Sequence, residues 1–263
     1  MRFTIDAKKL LGYLEDISLK GKYYNGSVAK NGVLSDHAVL SMNEVDESLM
    51  ILNANQSVAC RINHFFPPNH TRTSGMCVVD INSTVKHLKI FNGEITFDVG
   101  DYIKISQTGK KASLSKVLTH LSMDMISRIS NYDMLQLTGE CLSGEESVDG
   151  VKFGKTVYEA KLCTLEDDMT DAATACDVLG MAKYKFEYDG DETLIISSKK
   201  SEVDTIEVTI ELLEGSGEPA TVEFTGPFSK FLKGSATIYM KDECPILIAS
   251  GNRMLIKAPY LER

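Results

Sequence analysis

Nothing in this sequence approaches the ~18 consecutive apolar positions that a membrane-spanning helix needs. Its opening residues, Met1-Arg2-Phe3-Thr4-Ile5-Asp6, place an acid where a signal peptide would be apolar, so an intracellular, soluble protein is expected. Cysteine is sparse and scattered. Cys60, Cys77, Cys141, Cys163, Cys176 and Cys244 form no Cys-x-x-Cys pair, which argues against a zinc site or a disulfide framework and for buried thiols in a reducing compartment. Gly-x-x-x-x-Gly-Lys-Ser/Thr, Gly-x-Gly-x-x-Gly and Gly-x-Ser-x-Gly are all missing, so neither a nucleotide-phosphate loop nor a serine-hydrolase elbow is expected. His64 and His70 flank Phe65-Phe66-Pro67-Pro68 with Cys60 near, but a metal site would need further ligands and loop histidines are usually exposed. His37, His87 and His120 stand alone. The sequence therefore predicts no metal and no cofactor, and its carboxylates mostly alternate with lysines or cap helices.

What is present is a globular composition: 43% hydrophobic and 25% charged residues, which excludes a disordered chain. The 263 residues suit one large domain or two of roughly 130. Lys and Arg number 28 against 37 Asp and Glu, a formal charge of -9.

The apolar spacing alternates between short helices and strands. Asp6 to Leu19 places Leu10, Leu11, Leu14 and Ile17 on one helical face, with Asp6 as N-cap and Gly21 and Asn25-Gly26 ending it. Val28 to Leu34, Ser48 to Asn53 and Ser57 to Ile62 read as strands, with Asn31-Gly32 as a turn signal between alternating runs. Ile81 to Phe91 is a second helix, and Glu94 to Val99 pairs with Tyr102 to Gln107 around Gly100-Asp101. The order returns later. Thr164 to Leu179 is a helix, with Thr164 and Asp167 as an approximate capping box. Lys183 to Tyr188 and Thr193 to Ser198 flank Asp189-Gly190-Asp191, and Thr205 to Leu212 is a further strand. Val222 to Phe224 leads into a short helix over Pro227 to Lys233, then strands Thr237 to Met240, Pro245 to Ala249 and Met254 to Ala258.

The strand, short helix and hairpin around Val79 to Phe97 recur about 142 or 143 residues later, which means two domains of one topology. The fold class is α+β: each half carries two short helices packed on antiparallel sheets. The boundaries fall at 1–117 for the first domain, 118–155 for a connector and 156–263 for the second domain. The connector holds Ser143-Gly144-Glu145-Glu146-Ser147 and Asp149-Gly150, a polar and acidic stretch, after a more apolar part, Leu118 to Leu137, that reads as a short helix or a strand.

At this point the sequence resembles the DNA sliding clamp family, in particular the proliferating cell nuclear antigen type of eukaryotes, archaea and some viruses. Leu40-Ser41-Met42-Asn43 followed by Ser48-Leu49 looks like the family's Ser-Met-Asp segment. Cys244-Pro245-Ile246 and Leu255-Ile256-Lys257-Ala258-Pro259 resemble its C-terminal ending, and the Val79 to Ile105 order is the third match. The stretch from Leu118 to Thr156 is longer than the family's usual connector.

The resemblance implies a protein without chemistry of its own: a homotrimeric ring that encircles double-stranded DNA without reading sequence and tethers a DNA polymerase. Helices line the inner wall in such rings. Here they supply Lys8, Lys9, Lys20, Lys22, Lys86, Lys89, Lys230 and Lys233, and a hairpin loop adds Lys110 and Lys111. The bland alternative is that these lysines are only the solvated face of amphipathic helices. The polymerase, the clamp loader and other partners would dock through short peptides in a pocket built from Met42, Asp46, Leu49, Leu135, Leu137, Pro245, Ala258 and Pro259. For Met42 ordinary core packing is the competing reading. Subunits would join through edge strands, with Lys110 to Val117 and Ile206 to Leu212 as candidates. The location would be cytoplasm or nucleoid for an archaeal or prokaryotic viral protein and nucleus for a eukaryotic one. One feature departs from the family: Thr164 to Leu179 carries Glu166, Asp167, Asp168, Asp171 and Asp177 and no base. That helix leaves a second function open, a clamp-fold interaction protein that recruits transcription or repair factors without a role in replication.

Overall fold

Phe3 and Ile5 alternate with polar Arg2 and Thr4, and this period of two makes the first strand, β1 (Arg2–Asp6), with both apolar side chains buried. Asp6 then switches the chain into α1 (Ala7–Asp16): its carboxylate accepts a hydrogen bond from the Lys9 backbone N–H at 3.0 Å. The same device starts α2 (Ile81–Leu88), where Asp80 Oδ1 accepts from Ser83 N–H at 2.6 Å. The computed structural model describes residues 1–18, 37–54, 58–68, 70, 72–114, 151–153, 156–179, 183–226 and 228–260. The expected strand over Val28 to Leu34, with its Asn31-Gly32 turn, lies outside these residues, as does most of the 118–155 connector.

The chain forms two compact units. The first contains β1, α1, β2 (His37–Asn43), β3 (Ser48–Ala54), all but the first two residues of β4 (Val58–Phe65), β5 (Gly75–Asp80), α2, β6 (Glu94–Val99), β7 (Ile103–Gln107) and β8 (Lys110–Leu114). Its strands pair in the orders β1-β6-β7-β8 and β4-β3-β2-β5. Phe3 stacks on Phe97 across the β1–β6 pair with ring centroids 5.0 Å apart, an offset arrangement that aromatic rings favour.

The second unit repeats this plan. After the small hairpin β9 (Val151–Phe153) and β10 (Thr156–Tyr158) come β11 (Ala160–Thr164), α3 (Glu166–Asp177), β12 (Lys183–Tyr188), β13 (Thr193–Lys199), β14 (Thr205–Glu211), β15 (Glu214–Ser216), β16 (Ala220–Thr225), β17 (Ala236–Met240), β18 (Ile246–Ser250) and β19 (Arg253–Lys257). The strand orders are β11-β17-β18-β19 and β14-β13-β12-β16, the first unit's pattern strand for strand, with β15 added beside β11. β6 and β7 begin at Glu94 and Ile103, and their counterparts β17 and β18 begin at Ala236 and Ile246, so the repeat distance read from the sequence holds for these strands. Phe228 anchors this core. It is fully buried and meets Tyr184 and Phe224 edge-on at 5.3 and 5.5 Å.

Several local expectations change. α1 stops at Asp16 rather than running to Leu19, with Ile17 as its cap and a core residue. α2 ends at Leu88 with Lys89 as cap; Phe91 is buried but beyond the helix. The Pro227 to Lys233 helix reduces to one 3-10 turn, Ser229–Phe231. Thr164 is not a cap. It ends β11, its hydroxyl donates to the Ala236 carbonyl at 3.4 Å, and Leu165 occupies the N-cap of α3 without a side-chain hydrogen bond. β-ladder pairing with β17 claims the threonine before the helix can use it.

Candidate nucleic-acid interface and partner surface

α1 and α2 pack side by side, each turning apolar side chains inward: Leu10, Tyr13 and Leu14 from α1, Ile81 and Leu88 from α2. The outward faces carry Lys8, Lys9, Lys86 and Lys89, all exposed. Lys89 Nζ lies 3.6 Å from Glu15 Oε1, so the C-terminal ends of the two helices meet and part of the Lys89 charge is answered locally. Such a surface pair contributes at most ~1 kcal/mol and leaves the other lysines as the basic face. Lys110 Nζ donates to the Ile90 carbonyl at 3.1 Å, serving the carbonyls at the end of α2. Lys111, next in the strand, is exposed on the opposite face.

The second unit is different. Lys233 is exposed after the 3-10 turn, while only the backbone placement of Lys230 is described. Lys20 and Lys22 lie outside the described residues. The solvent face of α3 presents Asp167, Asp168 and Asp171, opposite buried Met169, Ala172, Ala173 and Cys176. Asp177 does not belong to that face: its carboxylate takes hydrogen bonds from Tyr184 and Ser229. Among the helices, then, the described basic face is α1 with α2, and the described acidic face is α3.

The residues expected to hold partner peptides divide by unit. Met42 and Leu49 sit opposite each other in the β2–β3 ladder and are 2% and 0% exposed, so within the chain both are core residues. Asp46 is exposed in the intervening turn, where Asn43 Oδ1 accepts from the Val45 N–H at 3.0 Å. That turn lifts Val45, 84% exposed, to its tip, and Arg72 clamps its far side through Glu47. Nothing in the sequence singles out Val45, because a lone valine between acids has no pattern; the Asn43-x-x-Asp46 spacing is the available signal. In the second unit the Ile246–Lys257 pairing places Pro245 and Ala258 at one end of the β18–β19 hairpin, followed by Pro259, all half-buried. Tyr158 Oη donates to the Pro245 carbonyl at 2.7 Å and fixes that end. Leu135 and Leu137 lie outside the described residues.

His64 is a correction to the expectation of exposed loop histidines. It is the penultimate residue of β4, only 9% exposed, with its ring edge-on to Phe66 at 4.6 Å and Nδ1 3.4 Å from Tyr13 Oη. Burial first, and then the charges of Lys9 and His70, lower its pKa to about 4. Among the described residues no group of three His, Cys, Asp or Glu side chains is placed to hold a metal ion, and no helix is long and apolar enough to cross a membrane.

No protein-family model and no curated protein matches this sequence. Solved structures do. The whole chain superposes on the beta chain of DNA polymerase III from Streptococcus pneumoniae with a TM-score of 0.69 at 9% identity, covering 65% of that chain. It superposes on PCNA of A. fulgidus, solved with the C-terminal region of FEN-1, with a TM-score of 0.64 at 15% identity, covering 99% of that chain. The DNA polymerase sliding clamp from Pseudomonas aeruginosa gives 0.63 at 11% identity over 67% of its length. This chain has the sliding-clamp fold. It spans about two thirds of the bacterial clamp chains and nearly all of the archaeal one. The strand order occurs twice within this fold, and the basic helices α1 and α2 belong to one copy of the repeated unit.

Proposed function

We propose that this protein is a DNA polymerase sliding clamp: three copies close into a ring around duplex DNA and tether a polymerase and other replication or repair proteins, with a clamp loader placing the ring. The observation that carries this is the clamp fold in a chain with two repeats of one strand order, matching PCNA of A. fulgidus almost end to end. Two repeats per chain would make a six-domain ring from three subunits, with domains over 1–117 and 156–263 joined by the 118–155 connector. Lys8, Lys9, Lys86 and Lys89, with the other lysines expected to line the channel, would hold phosphates weakly and exchangeably, which is what sliding requires. Peptide motifs of partners would dock near Met42, Asp46, Leu49, Pro245, Ala258 and Pro259. Such a ring works inside the cell, where the DNA is, and acts by topology rather than by catalysis.

Light scattering on the purified chain together with primer extension on primed circular DNA tests this reading. A ring-sized species and longer products with the cognate polymerase are expected. A strictly monomeric chain at high concentration that stimulates no polymerase sinks it.

The acidic face of α3 favours one second reading, a clamp-fold protein that recruits transcription or repair factors. Replacing Asp167, Asp168 and Asp171 with Asn separates the two: loss of partner capture with unchanged primer extension supports recruitment, and reduced extension supports the replicative role.

A further inference from the structure

We propose that Gln107, assisted by Lys110, is a positioning residue for the basic face of the first unit: from the tip of the β7–β8 hairpin it holds the loop that leaves α2, and so sets where Lys86 and Lys89 stand. This rests on the reading of α1 and α2 as the surface that meets duplex DNA. It goes beyond that reading in naming an uncharged residue, outside both helices, on which the surface depends.

The loop from Lys89 to Glu94 connects α2 to β6 and has little apolar anchorage. Phe91 is buried but Ile90 is 53% exposed, so much of the loop's placement falls to hydrogen bonds on its backbone. The Gln107 side-chain amide donates to the Asn92 carbonyl and, at 3.3 Å, to the Glu94 carbonyl, while Lys110 Nζ donates to the Ile90 carbonyl. Gln107 and Lys110 are partners in the β7–β8 ladder, so one hairpin tip grips the loop near both ends. Between these grips Gly93, at φ +84°, offers its carbonyl to the N–H of Ala7, the first residue of α1, at 2.9 Å. The loop therefore ties together the end of α2, the start of α1 and the hairpin tip. Lys89 is the cap of α2 and opens this loop, and Lys86 lies in the last turn before it.

The second unit carries the same device in different letters. β18 is the counterpart of β7, and its last residue, Ser250, stands where the sequence repeat places the equivalent of Gln107. Ser250 Oγ accepts from the Lys233 N–H at 2.8 Å and donates to the Gly234 carbonyl at 3.2 Å, in the segment that leads into β17. Gly234, at φ +99°, repeats the turn made by Gly93. A long amide and a short hydroxyl thus hold the same loop from the same corner. In both units that loop carries a lysine of the expected basic set, Lys89 in one and Lys233 in the other. Holding the backbone beside each lysine fixes the point from which its ammonium reaches out.

Gln107 has no charge, so an effect on duplex binding must run through other groups. The experiment compares the full chain with Q107M, each with and without K86A/K89A, after circular dichroism has checked folding. Methionine matches glutamine in length and cannot donate. In the DNA-free protein, hydrogen exchange at the Lys89, Ile90 and Phe91 amides, which close the end of α2, and at Ala7 is expected to be at least about tenfold faster in Q107M, with Phe3 in β1 unchanged. Duplex affinity at fixed salt is expected to fall about three- to tenfold in Q107M, and to fall no further when Q107M is added to K86A/K89A. Exchange that matches the parent, or a loss of affinity as large in the K86A/K89A background as outside it, overturns the proposal. If Q107M fails to fold, K110M, which releases only the Ile90 carbonyl, takes its place in the exchange measurement, and an unchanged rate overturns it. A parent that binds no duplex overturns the basic-face reading and this role with it. A binding parent whose affinity Q107M leaves unchanged rejects the role of Gln107 and leaves that reading standing.

Discussion

Tyr184 donates its hydroxyl to Asp177 Oδ1 at 2.5 Å, tying the last residue of α3 to β12. The other carboxylate oxygen accepts from the Ser229 backbone N–H at 3.3 Å, so one acid joins helix, strand and 3-10 turn. Replacing Asp177 with Ala removes this acceptor from a tyrosine that is 1% exposed, and a loss of about 1–3 kcal/mol is expected in urea unfolding of the second unit. Asp171→Ala, on the solvent face of the same helix, is expected to stay within ~0.5 kcal/mol. Equal effects would contradict the division of α3 into a structural acid and a solvated face.

His64 makes the first unit sensitive to mild acid. Its folded pKa of about 4 lies below the ordinary 6.5, so between these values the unfolded chain takes up a proton that the folded chain refuses. This stability is fully present above pH 6.5 and is lost as pH falls toward 4, by up to about 3 kcal/mol at 1.36 kcal/mol per pH unit. Denaturant unfolding at a series of pH values is expected to show the slope, and His64→Gln to flatten it. A slope unchanged in the variant would assign it to other groups.

The DNA binding proposed for α1 and α2 would have a signature in salt. Replacing Lys8, Lys9 or Lys86 with Ala is expected to weaken duplex binding equally for unrelated sequences and to reduce the slope of log affinity against log salt by up to ~0.9 for each phosphate no longer neutralised. Lys89→Ala is expected to change it less, because Glu15 already faces that ammonium. Titrations at several salt concentrations decide, and a sequence-dependent loss would contradict phosphate binding.

Gly217 has a stricter requirement than its neighbours. Its φ is +92°, and a Cβ there would lie 2.0 Å from the Glu159 carbonyl oxygen, a backbone atom that cannot swing aside. Gly217→Ala is expected to displace β15 from β11 and to cost more than Gly234→Ala, where φ is +99° but no atom lies within 4 Å. The difference between their thermal midpoints isolates the steric part from the backbone part.

Asp6 announces its helix because a carboxylate before an apolar helical stripe has one good local use, and Gly100-Asp101 and Asp189-Gly190 mark hairpins through equally local turn chemistry. β4 is harder to delimit. Its residues Val58 to His64 are buried without alternation, so the period of two that reveals a half-buried strand is missing. Thr164 misleads for a related reason, since a cap and a ladder residue look alike until Ala236 arrives from 72 residues away. Of the candidate site, Lys8, Lys9, Lys86 and Lys89 are legible from helical spacing. Met42 is not: a methionine packed on Leu49 and a methionine waiting for a peptide are the same letter, and only the three-dimensional neighbours separate them.

The separation of charge between the helices also bears on how the protein is handled. With a formal charge of -9 the chain binds an anion exchanger, and Asp167, Asp168 and Asp171 on the solvent face of α3 are exposed to the resin. The salt that elutes the protein screens these acids and the lysines of α1 and α2 alike, so any affinity for DNA is expected to return only after dialysis to low salt.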